Sequence, residues 1–166
     1  MVLRMCLTSG GQHDRGLHEL QAALRANPNF ALARALSGWV LSWTGRFDDA
    51  VVETQTALSL SPADTFLSLY EFCHGSALLA ARRFKKALPC IRDAIVSFPG
   101  FPGHYALLIS CCGHLGLWQE AEVLLAQRNL LAGPPLTVSL ARTQLLGFEQ
   151  GLVLVEGLIR AGVPES

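Results

Sequence analysis

Cysteine and histidine are the residue types in this chain that could bind a metal ion or attack a substrate. Cys111 and Cys112 lie just before His114, and Cys73 directly precedes His74. A structural zinc site usually takes its ligands from spacings such as C-x2-C or H-x3-H, which let paired side chains converge. Cys111 and Cys112 are adjacent instead, and adjacent residues of a helix point about 100° apart. We therefore predict packing thiols and a surface imidazole, with no metal site and no cofactor.

Covalent catalysis by a cysteine and a histidine would need further groups. The nucleophile requires a base, the base requires a group that orients it, and the oxyanion requires donors. The sequence contains no motif that supplies them. The separate histidines His13, His18 and His104 are interpreted as turn or surface residues. We therefore predict no catalytic residue and a chain that is not an enzyme.

The charge and the composition limit the class of partner. The chain has 166 residues, with 13 Lys plus Arg and 13 Asp plus Glu, so its formal net charge is zero. Nucleic-acid binding normally requires a basic excess, so we predict no nucleic-acid partner. Charged residues make up 16% of the chain, against about 25% in an average domain, and hydrophobic residues make up 51%. This composition favours a large core and an apolar surface that a protein or peptide covers.

The apolar segments are too short for a membrane span or an export signal. The longest nearly apolar run, at 105–118, falls short of the roughly 18 residues that a spanning helix needs. The opening residues, MVLRMCLTSGG, lack the apolar stretch of a signal peptide. The five cysteines are an odd number, which does not suggest a disulfide framework. We therefore expect no membrane span and a cytoplasmic location.

A unit of two helices organises the chain, and residues 31–62 show it most clearly. Two short helical stretches are joined there by a turn at residues 44–46, which contains a glycine. Pro62 closes the second stretch, because proline lacks the N–H that a continuing helix would need. Pro28 closes the stretch before it, 34 residues earlier. This spacing is typical of a helical hairpin repeat.

Small residues recur at fixed positions of this unit, where two helices must approach closely. In two consecutive units they are Gly38, Ala50, Ala57, Gly75, Ala87 and Ala94. With the closing prolines, this pattern resembles the tetratricopeptide repeat over about residues 11–135. The resemblance implies an all-α fold, a right-handed superhelical solenoid of helical hairpins.

The repeat pattern predicts where the units begin and end. The repeats occupy residues 1–135, as a truncated unit and three full ones: 1–28, 29–62, 63–99 and 100–135. The unit 63–99 carries three additional residues near Asp64. The tail, 136–166, fits the repeat poorly and is predicted as an irregular helical pair that caps the array, with helices at about 136–146 and 150–160.

The first unit is predicted to lack the opening turn of its first helix. Met1 falls at the fifth position of the repeat, so the chain begins inside a unit. The following helix, at about 14–26, would then leave Leu17, Leu20 and Leu24 partly uncovered. Exposed apolar patches often mark interfaces. We therefore predict self-association through this N-terminal repeat, or fraying of the same end.

In the tetratricopeptide repeat the first helix of each unit lines a concave face, so the resemblance implies which side chains lie on it. They are Leu32, Ala35, Trp39, Trp43, Leu69, Phe72, Ser76 and Leu79. Trp39 and Trp43 are four residues apart and share one side of a helix. They could anchor a partner helix or peptide in an apolar groove, or they could belong to ordinary packing between repeats. We predict a non-enzymatic protein–protein interaction scaffold.

The end of the chain suggests an alternative function. Residues 157–165, GLIRAGVPE, are similar to the close of the repeat arrays that accompany bacterial class III adenylate cyclase domains. That resemblance implies the C-terminal regulatory repeat region of an adenylate cyclase-like signalling protein. The chain itself contains nothing that could be the cyclase domain. An upstream cyclase domain in the parent reading frame would favour this alternative.

Overall fold

The computed structural model describes residues 13–145 and 147–166. In these ranges the secondary structure is nine α-helices without a strand, which confirms the all-α prediction. None of these helices is both long enough and apolar enough to cross a membrane. The helices are α1 His13–Ala26, α2 Ala31–Trp43, α3 Phe47–Leu60, α4 Leu67–Ala80, α5 Phe84–Ser97, α6 Pro102–Leu115, α7 Trp118–Asn129, α8 Val138–Gln144 and α9 Glu149–Arg160.

Consecutive helices pack in pairs, α2 with α3, α4 with α5, and α6 with α7, and each pair packs on the next. Small residues permit the close approach within a pair. A Cβ atom placed on Gly38 of α2 would lie 2.8 Å from the carbonyl oxygen of Ala50 in α3. Ala50 and Ala57 are both fully buried. The predicted solenoid of helical hairpins is therefore confirmed.

The turns inside the pairs need a left-handed residue at one fixed place. Gly45 and Gly116 have φ values of +79° and +71° there. Arg82 occupies the equivalent place in the middle pair with a φ of +57°. A residue with a side chain pays roughly 1–2 kcal/mol for this conformation. The guanidinium of Arg82 also forms an ion pair of 3.0 Å with Glu156 of α9.

The additional residues before α4 form a loop that Asp64 holds together. Its Oδ1 accepts a hydrogen bond of 3.0 Å from the backbone N–H of Phe66. Its Oδ2 accepts one of 2.8 Å from the hydroxyl of Tyr70, whose side chain is buried. These hydrogen bonds lower the pKa of Asp64, with the Phe66 N–H contributing most. The insertion therefore shifts the start of α4 without breaking the stacking of the pairs.

The N-terminal helix packs on the array. Leu20 of α1 is buried and belongs to one apolar cluster with Leu36 and Val40 of α2, and Leu17 and Leu24 are half-buried against the same cluster. The expectation that Leu20 is partly uncovered is therefore wrong, because α2 covers it. The predicted truncated helix before α1, including Met1, lies outside the described residues.

The tail contains two helices close to the predicted positions. α8 begins at Val138, after Thr137 accepts a hydrogen bond of 3.1 Å from the N–H of Leu140. The predicted start at about Leu136 is two residues early, because the N-cap Thr137 has an extended backbone with φ −129° and ψ 158°. The predicted end of that helix, at residue 146, lies outside the described residues.

Candidate partner-binding site

The first helices of the three pairs, α2, α4 and α6, present a common surface, which we call the inner face. The central helix α4 contacts both α2 and α6. The tail helix α9 contacts all three of them, and it contacts α6 most extensively. Part of the inner face is therefore covered by the chain itself.

A buried amide joins α9 to the inner face. The side chain of Gln150, in the first turn of α9, is buried. Its Oε1 lies 2.7 Å from the hydroxyl of Ser42 in α2 and 3.0 Å from the hydroxyl of Ser76 in α4. One acceptor thus meets hydroxyl groups from two neighbouring repeats. Because these polar atoms are buried, losing Gln150 would leave the Ser76 hydroxyl without this acceptor, at a cost of about 1–3 kcal/mol, whereas the Ser42 hydroxyl also lies 2.6 Å from the carbonyl oxygen of Trp39.

Further along, α6 bonds directly to the backbone of α9. The hydroxyl of Ser110 donates a hydrogen bond of 2.9 Å to the carbonyl of Leu154. The Nε2 atom of His114 lies 2.9 Å from the carbonyl oxygen of Val153, which requires a proton on Nε2. The imidazole also stacks on Phe84, with 4.0 Å between ring centroids. The prediction of a surface imidazole is therefore wrong, since His114 lies between two packed elements.

Trp43 is buried at the edge of this covered region. It is 4% exposed, and its ring lies 4.6 Å from that of Trp39 and 4.8 Å from that of Phe148. Phe148 directly precedes α9. The tail thus places its own aromatic side chain on Trp43, for which the sequence left both partner binding and packing between repeats open.

Three other predicted contact residues are also buried within the chain. Ala35 is fully buried in an apolar cluster with Tyr70 and Cys73. Ser76 is 2% exposed beneath Gln150, and Leu79 is 1% exposed in the main core. These side chains, like Trp43, have almost no surface left for a partner in this arrangement.

The other four predicted residues, Leu32, Trp39, Leu69 and Phe72, are half-buried. Three of them line a cavity of about 570 Å³ that α9 does not line, and we call it the aromatic pocket. Leu32 does not line it. The lining residues are Trp39, Thr65, Phe66, Ser68, Leu69, Phe72, Ser97, Phe98, Phe101 and His104.

Phe72 is the centre of the aromatic packing in this pocket. Its ring lies 5.7 Å from Trp39, 5.3 Å from Phe101 and 5.5 Å from His104. The contacts with Trp39 and Phe101 are edge-to-face, a geometry that aromatic quadrupoles favour. The pocket wall is therefore a chain of aromatic rings that crosses three repeats.

His104 belongs to this wall, so its interpretation as a turn or surface residue is wrong. Its side chain is 2% exposed. Burial lowers the pKa of His104, and a backbone hydrogen bond to Phe98 opposes that change in part. The imidazole is accordingly neutral at pH 7. The pocket therefore has no charged lining residue.

Sequence reasoning missed the phenylalanines that precede the first helices, two of which, Phe66 and Phe101, line the pocket, although a signal was present. Phe30, Phe66 and Phe101 each stand directly before a first helix, at the N-cap, and none forms a side-chain capping bond. Ser, Thr, Asp and Asn are strongly preferred there. The three rings are 40–51% exposed. A side-chain capping bond is also absent before α3, α5, α7 and α9, so the signal was the recurrence of a phenylalanine at three equivalent places.

The cysteines of α6 are packing residues, as predicted. Cys111 and Cys112 are fully buried, and the thiol of Cys111 donates to the carbonyl of Phe84 at 3.2 Å. Burial raises the pKa of Cys111 to about 12 and that of Cys112 to about 11. Both stay protonated at pH 7, a poor state for a nucleophile or a metal ligand. In the described part of the chain, no three His, Cys, Asp or Glu side chains group together as metal ligands would.

Solved structures with the same fold include several of MamA. MamA 41-end from Desulfovibrio magneticus RS-1 is 17% identical, with a TM-score of 0.65 over 92% of this chain and 85% of that one. A second MamA crystal structure is 18% identical, with a TM-score of 0.65, and it matches 91% of this chain and 87% of that one. At these identities the likeness concerns the fold. No curated protein sequence matches this chain significantly.

The family model named Tetratricopeptide repeat matches residues 9–65 and 74–134. The two matched stretches make up more than half of the chain and contain the three helix pairs except for the first half of α4, which lies in the gap at 66–73. They also contain the small residues that let the helices of each pair approach. This chain belongs to the tetratricopeptide repeat family.

Proposed function

We propose that this chain is a non-enzymatic interaction scaffold. It holds a helix or an extended peptide of a protein partner against the open part of the inner face, by which we mean the part that α9 does not cover. The observation that carries the proposal is the aromatic pocket. It lies beside the region that α9 covers, and Trp39 is common to both, because its ring contacts both Trp43 and Phe72.

The size and lining of the pocket support this function. Its volume of about 570 Å³ lies within the usual range of about 300–1,000 Å³ for binding pockets. The rim adds Phe66, Phe98 and Phe101, which are 51%, 56% and 40% exposed. Contiguous exposed apolar residues beside a cavity often mark an interaction site. Aromatic residues are also prominent among the side chains that dominate binding energy.

Site-directed photo-crosslinking followed by affinity measurement tests the proposal. A photoreactive amino acid at Leu69, in the pocket, should capture a defined partner, whereas the same group at Val96 should not. Val96 is 83% exposed on the second helix of the same repeat and does not line the pocket. With the purified partner, Leu69→Ser should weaken binding at least tenfold, and Val96→Ser should leave it within twofold, as expected for a central anchor against a peripheral residue.

Besides the absence of any protein crosslinked from Leu69, two results would contradict the scaffold. One is equal crosslinking from Leu69 and Val96, which would mean non-specific capture. The other is a purified partner that binds wild type and Leu69→Ser equally well. In that case the partner contacts another surface, and the open part of the inner face has a different role.

Self-association through the N-terminal repeat remains part of the proposal. Leu17 and Leu24 of α1 are only half-buried. Size-exclusion chromatography with light scattering at micromolar concentration, repeated with Leu24→Gln, would test it. We expect a concentration-dependent mass that the variant abolishes. A monomer at every concentration, with slow hydrogen exchange over residues 13–26, would contradict it.

The regulatory alternative and the cytoplasmic location also stay predictions. The likeness of residues 157–165 to cyclase-associated arrays is tested by whether the parent reading frame encodes a catalytic domain upstream. A reducing compartment is consistent with Cys73, Cys90, Cys111 and Cys112, which are free thiols. Localisation of the tagged parent protein would test the compartment.

A further inference from the structure

The chain itself shows how the inner face receives an aromatic side chain. Phe148 stands at the N-cap of α9, and its ring lies 4.8 Å from that of Trp43, tilted by 35°. Two residues later, Gln150 meets the hydroxyl groups of Ser42 and Ser76. An aromatic ring followed by a buried amide therefore anchors the start of this helix on the inner face.

The aromatic pocket continues the same surface beyond the tail helix. Trp39 stands between the two regions, with its ring 4.6 Å from Trp43 and 5.7 Å from Phe72. From Phe72 the aromatic wall extends to Phe101 and His104 in the next repeat. The region that α9 covers and the open region thus share Trp39, and aromatic rings line both.

The lining determines which group the pocket suits. It contains six aromatic or imidazole rings and one leucine, and its other lining residues are the hydroxyl residues Thr65, Ser68 and Ser97. A charged group would lose its hydration there without meeting an opposite charge. An aromatic ring, in contrast, can form edge-to-face contacts with several walls, as Phe72 already does.

We propose that the aromatic pocket receives one uncharged aromatic side chain of the partner, in the way that the neighbouring Trp43 receives Phe148. This inference rests on the proposed scaffold function and names the chemistry of its partner. The ring enters between Trp39, Phe72 and Phe98, beside the exposed edge formed by the phenylalanines that precede α4 and α6.

Indole NMR signals provide a direct test, because the chain contains three tryptophans. The probe is N-acetylphenylalanine methylamide, and the matched control is N-acetylalanine methylamide. At about millimolar concentrations, where weak binding is measurable, the first should shift the indole N–H signal of Trp39 in a saturable way. The alanine compound should not. Trp118, which is 66% exposed and lies outside the pocket, should not respond to either.

Two exposed phenylalanines make a matched pair of variants. Phe98 lines the pocket, whereas Phe30 does not, and they are 56% and 43% exposed. We expect Phe98→Ser to weaken binding of the phenylalanine probe at least threefold and Phe30→Ser to leave its affinity unchanged. If Phe98→Ser unfolds the chain, Phe98→Leu takes its place, because leucine keeps an apolar side chain and removes the ring. This variant should also bind the phenylalanine probe more weakly.

Several outcomes would overturn the inference. They are the absence of a Trp39 shift, equal shifts with the alanine compound, and an unchanged affinity in both Phe98 variants. A larger shift with octanoate than with the phenylalanine probe would indicate an acyl-chain site instead. Failure of the scaffold itself looks different: the probe would bind as expected, but no protein would be crosslinked from Leu69.

Discussion

Gly113 of α6 and Gly157 of α9 face each other where the tail helix crosses the inner face. A Cβ atom on Gly113 would lie 2.0 Å from the carbonyl oxygen of Gly157. A Cβ atom on Gly157 would lie 2.1 Å from the hydroxyl and 2.4 Å from the carbonyl oxygen of Ser110. No side chain fits at such distances, so the two backbones could not approach this closely without both glycines. The tail helix is therefore an integral part of the packing.

Substitution at this crossing should loosen the tail. We expect Gly157→Ala to destabilise the chain by about 1–3 kcal/mol, the usual cost of overpacking. Hydrogen exchange over residues 149–160 should become faster, because the new methyl group pushes α9 away from Ser110. The matched control is Gly100→Ala, where a Cβ atom would meet nothing within 4 Å. Equal unfolding free energies for the two variants would show that the crossing is not tight.

The contact inside the first full helix pair gives a second prediction. Ala50 is fully buried, and its carbonyl oxygen lies against Gly38. Ala50→Leu should lower the unfolding free energy by about 1–3 kcal/mol, because the larger side chain forces the pair apart. Gln55→Leu, on the exposed side of the same helix, should change it by less than about 0.5 kcal/mol. Urea denaturation measures both, and similar losses would mean that the repeat register is wrong.

Trp43 should act as a core residue. Because its side chain is 4% exposed and packs on Trp39 and Phe148, Trp43→Ala should cost about 3–5 kcal/mol of stability. Phe98→Ser, at a half-exposed ring, should cost far less. Thermal denaturation followed by circular dichroism compares the two. A Trp43→Ala variant that melts like wild type would return Trp43 to the list of candidate partner contacts.

His74 should make stability depend on pH. Its imidazole is 5% exposed, with Nδ1 2.9 Å from the hydroxyl of Thr54. Burial lowers the pKa of His74 from 6.5 to about 4. Between these values the unfolded chain binds a proton that the folded chain does not. The contribution of His74 to stability is therefore complete above pH 6.5 and is lost as the pH falls toward 4.

The variant His74→Gln isolates this contribution from the carboxylates, which titrate in both proteins. We expect the stability advantage of wild type over His74→Gln to be largest at pH 7 and to shrink by pH 4.5. Urea denaturation at a series of pH values measures this difference. A constant difference would show that the folded and unfolded chains protonate His74 alike.

The helical repeat could be read from local sequence, because each unit depends on features that lie close together in the chain. Gly38, Ala50 and Ala57 permit two consecutive helices to touch, and Gly45 supplies the left-handed residue of the turn between them. Pro62 and Pro99 stand two residues after the ends of α3 and α5, where they prevent these helices from continuing. These requirements operate over about 30 residues, so they are visible without knowledge of the rest of the molecule.

The availability of the inner face depended on contacts between residues far apart in the chain. Trp39 and Trp43 share one side of α2, and local sequence treats them alike. Phe148, more than 100 residues later, covers Trp43 and leaves Trp39 to the aromatic pocket. The same holds for His104, which looks like an isolated surface histidine until Phe72 and Phe101 pack on it.

The position of the tail helix α9 decides which residues of the inner face are covered. The residues that determine this position are distributed over the chain. Gly113, Ser110 and Ser76 are small residues spread over two repeats, and each alone is an ordinary helix residue. Only together do they leave enough space for the backbone of α9 to approach. On the side of α9, Gly157 permits the close contact and Gln150 accepts the hydrogen bond from Ser76. Sequence by itself determined that an array of helix pairs forms, since pairing is local. Tertiary structure determined which part of that array stays open, since two distant backbones had to fit against each other.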